Sequence, residues 1–187
     1  MRTIMAALAA SLALFSGSSF ASWWDDLKEH AGHNWQQSKR AWTEGRHDVY
    51  FSGLIWHAPW AYTREERTEE NEAGWGLGFG KSIIDDKGRT HGLYGMVFRD
   101  SNYKAQYNFG YSWTTYWQIG RSNWDAGLGY SAFIFMREDF SRWTPFPAVL
   151  PLATLRWDKR AELVGTFVPG FGDNGNVAYF FARFSFP

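Results

Sequence analysis

The chain has no cysteine in 187 residues. That excludes a disulfide framework and a thiolate metal site. It also lacks an excess of either charge: 19 Lys and Arg stand against 19 Asp and Glu, so the formal net charge is +0. A nucleic-acid binder would normally carry a basic excess, so that class is set aside. Mean hydropathy is negative, which argues against a helical membrane protein. No G-x-S-x-G elbow, metal-ligand pair or phosphate loop is present, and "GLGFG" and "GLG" fall inside expected strands. What the chain has in quantity is aromatic side chains, 20% of residues including 12 Trp, together with 19 Gly. That is too aromatic for a disordered chain.

The first residues have the pattern of a targeting segment. Arg2 gives a positive start, "IMAALAASLALF" is apolar, and "SGSSFA" offers small residues at Ser19 and Ala21. A secretory signal peptide over 1–21 is expected, rather than an anchoring helix, because the apolar run is short for a span of about 20 residues. Residues 22–48 are expected to hold an amphipathic helix and a linker. Trp24, Leu27, Ala31, Trp35 and Trp42 share one helical side, with charged and amide residues opposite. Such a helix could lie at a membrane interface or pack on a core.

Period-two alternation fills 49–187. Strands are predicted at Val49–Tyr62, Trp75–Ile84, His91–Arg99, Tyr107–Trp117, Trp124–Met136, Ala148–Trp157, Ala161–Val168 and Val177–Phe186. The charged loop "TREERTEENE" and the tight turn "DDKGRT" separate the first three. Strands near the 9–11 residues that cross a bilayer, with short and long connections alternating and Trp and Tyr near strand ends, predict an all-β fold. It is an eight-stranded antiparallel outer-membrane β-barrel with an N-terminal amphipathic helix; a secreted lipocalin-like barrel is the alternative. A closed barrel has no free edge, so a monomer is expected.

The two faces of the strands differ. Tyr107, Phe109, Tyr111 and Trp113 alternate with Asn108, Gly110, Ser112 and Thr114, while Leu77 and Phe79 alternate with Gly76, Gly78 and Gly80. In a membrane barrel the large apolar face meets lipid, which leaves the inward face rich in glycine and serine. Eight-stranded interiors are normally just filled by side chains. Glycine inside therefore predicts either a thin slot for an apolar ligand such as an acyl chain, or relief of strain in a tightly coiled sheet.

With the helix on the periplasmic side, strand parity brings His57, Asp100 and Ser101 to the outward rim. His30 and His33 fall in the helix, His47 precedes the first strand, and His91 begins the third strand at the opposite end. An imidazole can take a proton from an attacking hydroxyl near neutral pH. A carboxylate can orient it, and a serine can polarise or attack an acyl carbonyl. Asp-Ser-Asn after a strand is also ordinary turn chemistry, and both readings stand at this point.

The residues resemble the lipid A palmitoyltransferase family of Gram-negative outer membranes (PagP). The similar stretches are "WQQ" at Trp35–Gln37, "WHA" at Trp56–Ala58, "GFG" at Gly78–Gly80 and "KGRTHGLYGMVFRDS" at Lys87–Ser101. "GLG" at Gly127–Gly129, "PLA" at Pro151–Ala153 and "NGN" at Asn174–Asn176 continue the order. The resemblance implies transfer of a palmitoyl or somewhat shorter chain from the sn-1 position of a phospholipid donor to a hydroxyacyl chain of a lipid A acceptor. It implies an active site facing the cell exterior, with no metal and no soluble cofactor. It implies His57 as base, Asp100 as its partner and Ser101 as polariser or nucleophile. Ser112 stands where the family has a glycine at the slot floor, which implies a shorter slot. Pro151 and Pro169 match prolines that interrupt strand pairing for lateral access, whereas Ser52 and Gly74 replace such prolines elsewhere. The chain also ends on Pro187 after Phe186, where such barrels finish on an aromatic residue. A lipid hydrolase and a structural barrel without chemistry are the alternatives.

Overall fold

The eight alternating runs form eight strands that close on themselves. The computed structural model describes residues 17–65, 71–138, 142–170 and 176–187. Helix α1 (Gly17–Glu44) precedes β1 (Arg46–His57), β2 (Gly76–Ile84), β3 (Thr90–Arg99) and β4 (Ala105–Gln118). These are followed by β5 (Trp124–Arg137), β6 (Phe146–Trp157), β7 (Ala161–Val168) and β8 (Val177–Phe186). Each strand pairs antiparallel with the next, and β8 returns to β1 from His47↔Phe186 to His57↔Val177. The expected cleavage point after Ala21 falls within α1. Residues 1–16 of the expected signal, the side chains of Trp24 and Leu27, and Asn174 and Gly175 of "NGN" lie outside the described residues. Further along α1, Gln37, Ser38 and Ala41 are buried and Trp42 is exposed.

The strand bounds match the alternation closely, except in β1. That strand starts three residues before the predicted Val49 and ends at His57 rather than Tyr62. Pro59 cannot donate to a ladder, and the chain turns there, with the Ala61 and Tyr62 amides donating to the Ala58 carbonyl. The missed residues at the start include Asp48, a charge that points inward and is only 1% exposed.

The outside of the barrel is apolar. Phe51, Phe79, Phe109, Leu128, Val149 and Leu163 are all exposed. An outward apolar belt around a polar or mixed interior is the pattern of a barrel in lipid.

The inside has two layers. The end near α1 is packed with charge: Arg183 pairs with Glu162, Arg156 with Asp125 at 2.8 Å, and Ser185 donates to Asp48 at 2.6 Å. Tyr116 donates to Glu162 at 2.8 Å, and the Arg156 guanidinium lies 3.4 Å from the Tyr116 ring centroid. Buried charges of both signs are tolerated because each finds an opposite partner. Towards the other rim the inward residues become Tyr94, Met96, Phe98, Leu152, Val164 and Phe181, and they surround a cavity.

The β2–β3 turn at the charged end is rigid for a local reason. Gly88 takes φ +77, which favours glycine. Asp85 accepts the Lys87 and Arg89 amides at 2.9 Å each, the Arg89 side chain at 2.8 Å, and His91 at 3.2 Å. Burial alone would raise its carboxyl, but these hydrogen bonds hold it at about 2, so Asp85 is ionised at neutral pH.

Candidate active site

The cavity has a volume of about 730 Å³, within the range of roughly 300–1,000 Å³ usual for ligand sites. Its mouth is polar: Asp100, Ser101, Asn102, Gln106, Asn108 and Arg137 line it there. Its walls are aromatic and aliphatic. Its foot is formed by Ser112, Thr114, Ser131, Thr154, Glu162 and Arg183.

The glycines expected to line a slot stand behind its walls. A Cβ on Gly76 would lie 2.2 Å from Phe98 Cβ, and one on Gly78 would lie 2.4 Å from Met96 Cγ. Gly76 and Gly78 of β2 thus make room for side chains of the paired β3 strand, in the register Gly76↔Phe98 and Gly78↔Met96. The slot is present, and its surface is Phe98 and Met96 rather than bare backbone.

Asp100 follows β3 directly and is 2% exposed. Its Oδ1 accepts the Asn102 amide at 2.9 Å and the Lys104 amide at 2.8 Å, the hydrogen bonds of an Asx turn. Its Oδ2 lies 3.1 Å from Arg137 Nε. The turn and the site are therefore one arrangement: one carboxylate oxygen shapes the loop while the other meets a cation at the cavity mouth. Ser101 lines the same mouth. Its carbonyl accepts the Asn71 amide at 2.8 Å, and Asn71 Nδ2 donates to the Asp100 carbonyl at 3.0 Å.

His57 ends β1 at the same rim and is 1% exposed. It is not among the cavity-lining residues, but it meets one: its ring packs edge-on against Tyr62 at 5.0 Å, and Tyr62 lines the cavity. The Ile55 amide donates to the Glu72 carbonyl, and the Arg99 amide to Trp75, so residues 71–75 connect the ends of β1 and β3.

Ser112 faces inward, as its strand parity predicts. A Cβ on the paired Gly92 would lie 2.8 Å from Ser112 Oγ. From Gly92 to Asp100 is eight residues of β3 and its end. At about 3.4 Å per residue and a tilt near 40°, that is about 21 Å along the barrel axis. An all-trans chain advances about 1.25 Å per carbon, so roughly 16 carbons fit between the rim and Ser112.

The wall has one lateral break near the prolines. The β6–β7 ladder begins at Leu152↔Thr166, although β6 starts at Phe146 and β7 runs to Val168. Pro151, with no amide to donate, sits at this boundary, where Thr166 Oγ1 donates to its carbonyl at 2.7 Å. Pro169 follows β7 and lines the cavity, as do Phe146, Ala148 and Val149 from the unpaired part of β6. On the β1–β2 side the ladder ends at Ser52↔Gly76, and the Ser52 hydroxyl donates to the Gly74 carbonyl beyond it.

A family model described as "Antimicrobial peptide resistance and lipid A acylation protein PagP" matches residues 37–183. The chain belongs to the PagP family. A lipid A acyltransferase PagP of Legionella pneumophila is 40% identical over 185 residues, covering 98% of this chain and 95% of the relative. One of Citrobacter koseri is 38% identical over 170 residues, covering 90% and 87%. A lipid A palmitoyltransferase PagP of Escherichia coli O6:H1 is 36% identical over 174 residues, covering 91% and 89%.

Arg137, Asn71 and Tyr62 stand at the site without having been singled out from the sequence. For Arg137 a signal existed: it continues the inward parity of Asp125, Gly127, Gly129 and Ser131 along β5. Asn71 closes a charged loop, where no periodicity applies.

Proposed function

We propose that this chain is an outer-membrane enzyme that transfers a palmitoyl or somewhat shorter chain from the sn-1 position of a phospholipid to a hydroxyacyl chain of lipid A. The observation that carries this is the cavity itself. Its walls are apolar, its foot is closed by ion pairs, and its mouth opens at Asp100 and Ser101. A structural barrel of eight strands would be filled by side chains. The relatives named as lipid A acyltransferases support the acceptor.

In this reading the donor acyl chain lies along the cavity with its ester carbonyl at the rim. The lipid A hydroxyl oxygen attacks that carbonyl and gives its proton to His57. The sn-1 carbon–oxygen ester bond breaks, and the departing lysophospholipid oxygen takes the proton back. Ser101 donates to the carbonyl oxygen as negative charge develops there. Asp100, fixed by two amides and Arg137 at the same rim, is the carboxylate partner in this reading. The break beside Pro151 and Pro169 is the route by which a chain enters from the bilayer. The protein acts as a monomer with its rim toward the cell exterior.

The test is mass spectrometry of lipid A from cells with and without the protein. One added saturated acyl chain is the expected result. Free fatty acid without acylated lipid A would assign a hydrolase instead.

The depth of the cavity gives a second expectation. Ser112→Gly removes a hydroxymethyl that narrows its foot, and the transferred chain should lengthen by one or two carbons in the same assay. An unchanged chain length would remove Ser112 from the floor.

A further inference from the structure

Before β2 begins, the chain already runs close along the end of β3. The Arg99 amide donates to the Trp75 carbonyl at 3.0 Å. A Cβ on Gly74 would lie 2.7 Å from Ile55 Cδ1 and 3.2 Å from the Arg99 carbonyl oxygen, so glycine lets the segment pass near. This course brings Asn71 against the turn that follows β3.

Asn71 is 6% exposed. The Ala73 amide donates to its Oδ1 at 3.1 Å, which leaves Nδ2 as the donor. Nδ2 donates to the Asp100 carbonyl at 3.0 Å, and the Asn71 backbone amide donates to the Ser101 carbonyl at 2.8 Å. One residue thus holds the carbonyls on both sides of Ser101. The Tyr103 amide adds a bond of 3.2 Å to the Asp100 carbonyl and closes the β-turn. The Asp100 side chain does not hold the peptide between Asp100 and Ser101, because its bonds go to the Asn102 and Lys104 amides.

The Ser101 N–H shares a peptide plane with the Asp100 carbonyl and points the opposite way in a trans peptide. Holding that carbonyl toward Asn71 therefore holds the amide on the far side of the turn. Ser101 lines the cavity and Asn71 does not. Among the described residues, neither the amide nor the hydroxyl of Ser101 makes a hydrogen bond. Two free donors at the mouth of an apolar cavity suit a carbonyl oxygen that gains negative charge, and they are most effective when their orientation is fixed beforehand.

We infer that Asn71 is a positioning residue for acyl transfer. By clamping the carbonyls of Asp100 and Ser101 it aims the Ser101 amide and hydroxyl at the ester carbonyl oxygen. The assignment rests on the acyl-transfer reading above, and it adds the main-chain amide of Ser101 to its hydroxyl as a donor. Asn71 itself touches no substrate atom and exchanges no proton.

The purified, folded protein is given a phosphatidylcholine with a labelled sn-1 palmitoyl chain, and lipid A, in detergent. Initial rates are divided by the folded fraction read from heat-dependent gel mobility. Asn71→Ala is expected to lower kcat by about 10- to 10²-fold with KM nearly unchanged, less than the loss of a whole oxyanion donor, because aim is lost and not the donor. Asn71→Asp keeps the acceptor for Ala73 and the backbone amide and removes only the donor to Asp100. It should fall in the same range, and it carries the comparison if the alanine variant does not fold. The second readout is coupling, which a merely structural role would not produce. In a Ser101→Ala background the Asn71 variant should cost only a fraction of its loss in the unchanged protein, since the hydroxyl it aims is gone; independent residues would multiply their losses. Near-normal kcat per folded molecule, a loss confined to KM, or losses that multiply in the double variant overturns the clamp. Failure of both single variants to fold also overturns it and makes Asn71 a structural residue. Absence of transfer by the unchanged protein overturns the acyl-transfer reading beneath, so the two failures are distinguishable.

Discussion

Replacing His57 with alanine is expected to lower acyl transfer to lipid A by about 10²- to 10⁴-fold, the usual contribution of a positioned general base. The expectation follows from placement. His57 ends β1, is 1% exposed, and packs on Tyr62, which lines the cavity. It stands on the rim that also holds Asp100 and Ser101. An imidazole there can accept and return a proton near neutral pH, which no other side chain with an ordinary pKa can do. Alanine also leaves a void beside Tyr62, so a folding defect could mimic a catalytic one. His57→Asn addresses this, because it keeps a polar side chain of similar reach and cannot act as a base. Both variants should retain the barrel by circular dichroism and the heat-dependent shift in gel mobility, and both should lose transfer. A folded asparagine variant with near-normal transfer would end the base assignment and leave His57 as a packing residue.

The fold was legible because period two is a strong signal when one face meets lipid and the other does not. The predicted bounds of β7 and β8 coincide with the observed strands. The start of β1 was not legible for a physical reason. Arg46, His47 and Asp48 look like a charged linker, and only the register with β8 shows that Asp48 faces inward, beside Ser185. The glycine faces were read correctly as inward but not as covered. Whether a glycine is bare depends on the residue opposite it, and Phe98 and Met96 come from a neighbouring strand whose register the sequence does not state. The rim followed the same rule. His57, Asp100 and Ser101 could be placed by counting strands, since that needs only parity. Arg137 could not be matched to Asp100, because their contact joins β5 to the loop after β3. At Asp100 the turn and a place at the cavity mouth coexist, since its two oxygens face different partners.

The same dependence on cross-barrel pairing sets the second large expectation, at the charged end. Glu162→Ala should destabilise the folded barrel by about 3–5 kcal/mol, because it leaves a buried guanidinium without its partner. Glu162 is 6% exposed, pairs with Arg183, and accepts the Tyr116 hydroxyl at 2.8 Å. The remaining carboxylate near Arg183 is Asp48, at 4.0 Å, and it already accepts Ser185. Asp48 is therefore poorly placed to replace Glu162. A surface pair would contribute at most about 1 kcal/mol, so the size of the loss reports burial rather than charge alone. Urea unfolding in lipid vesicles measures it as a lower midpoint with an unchanged slope. The double variant Glu162→Leu with Arg183→Met removes both charges together, and most of the lost stability should return, since apolar residues of similar volume commonly replace a buried pair at little cost. If the single variant loses less than about 1 kcal/mol, water reaches Arg183 in the folded barrel and the charged end is open. The closed foot of the proposed acyl cavity would then fail with it. A large loss that the double variant restores would mark these ion pairs as the seal that makes the cavity blind.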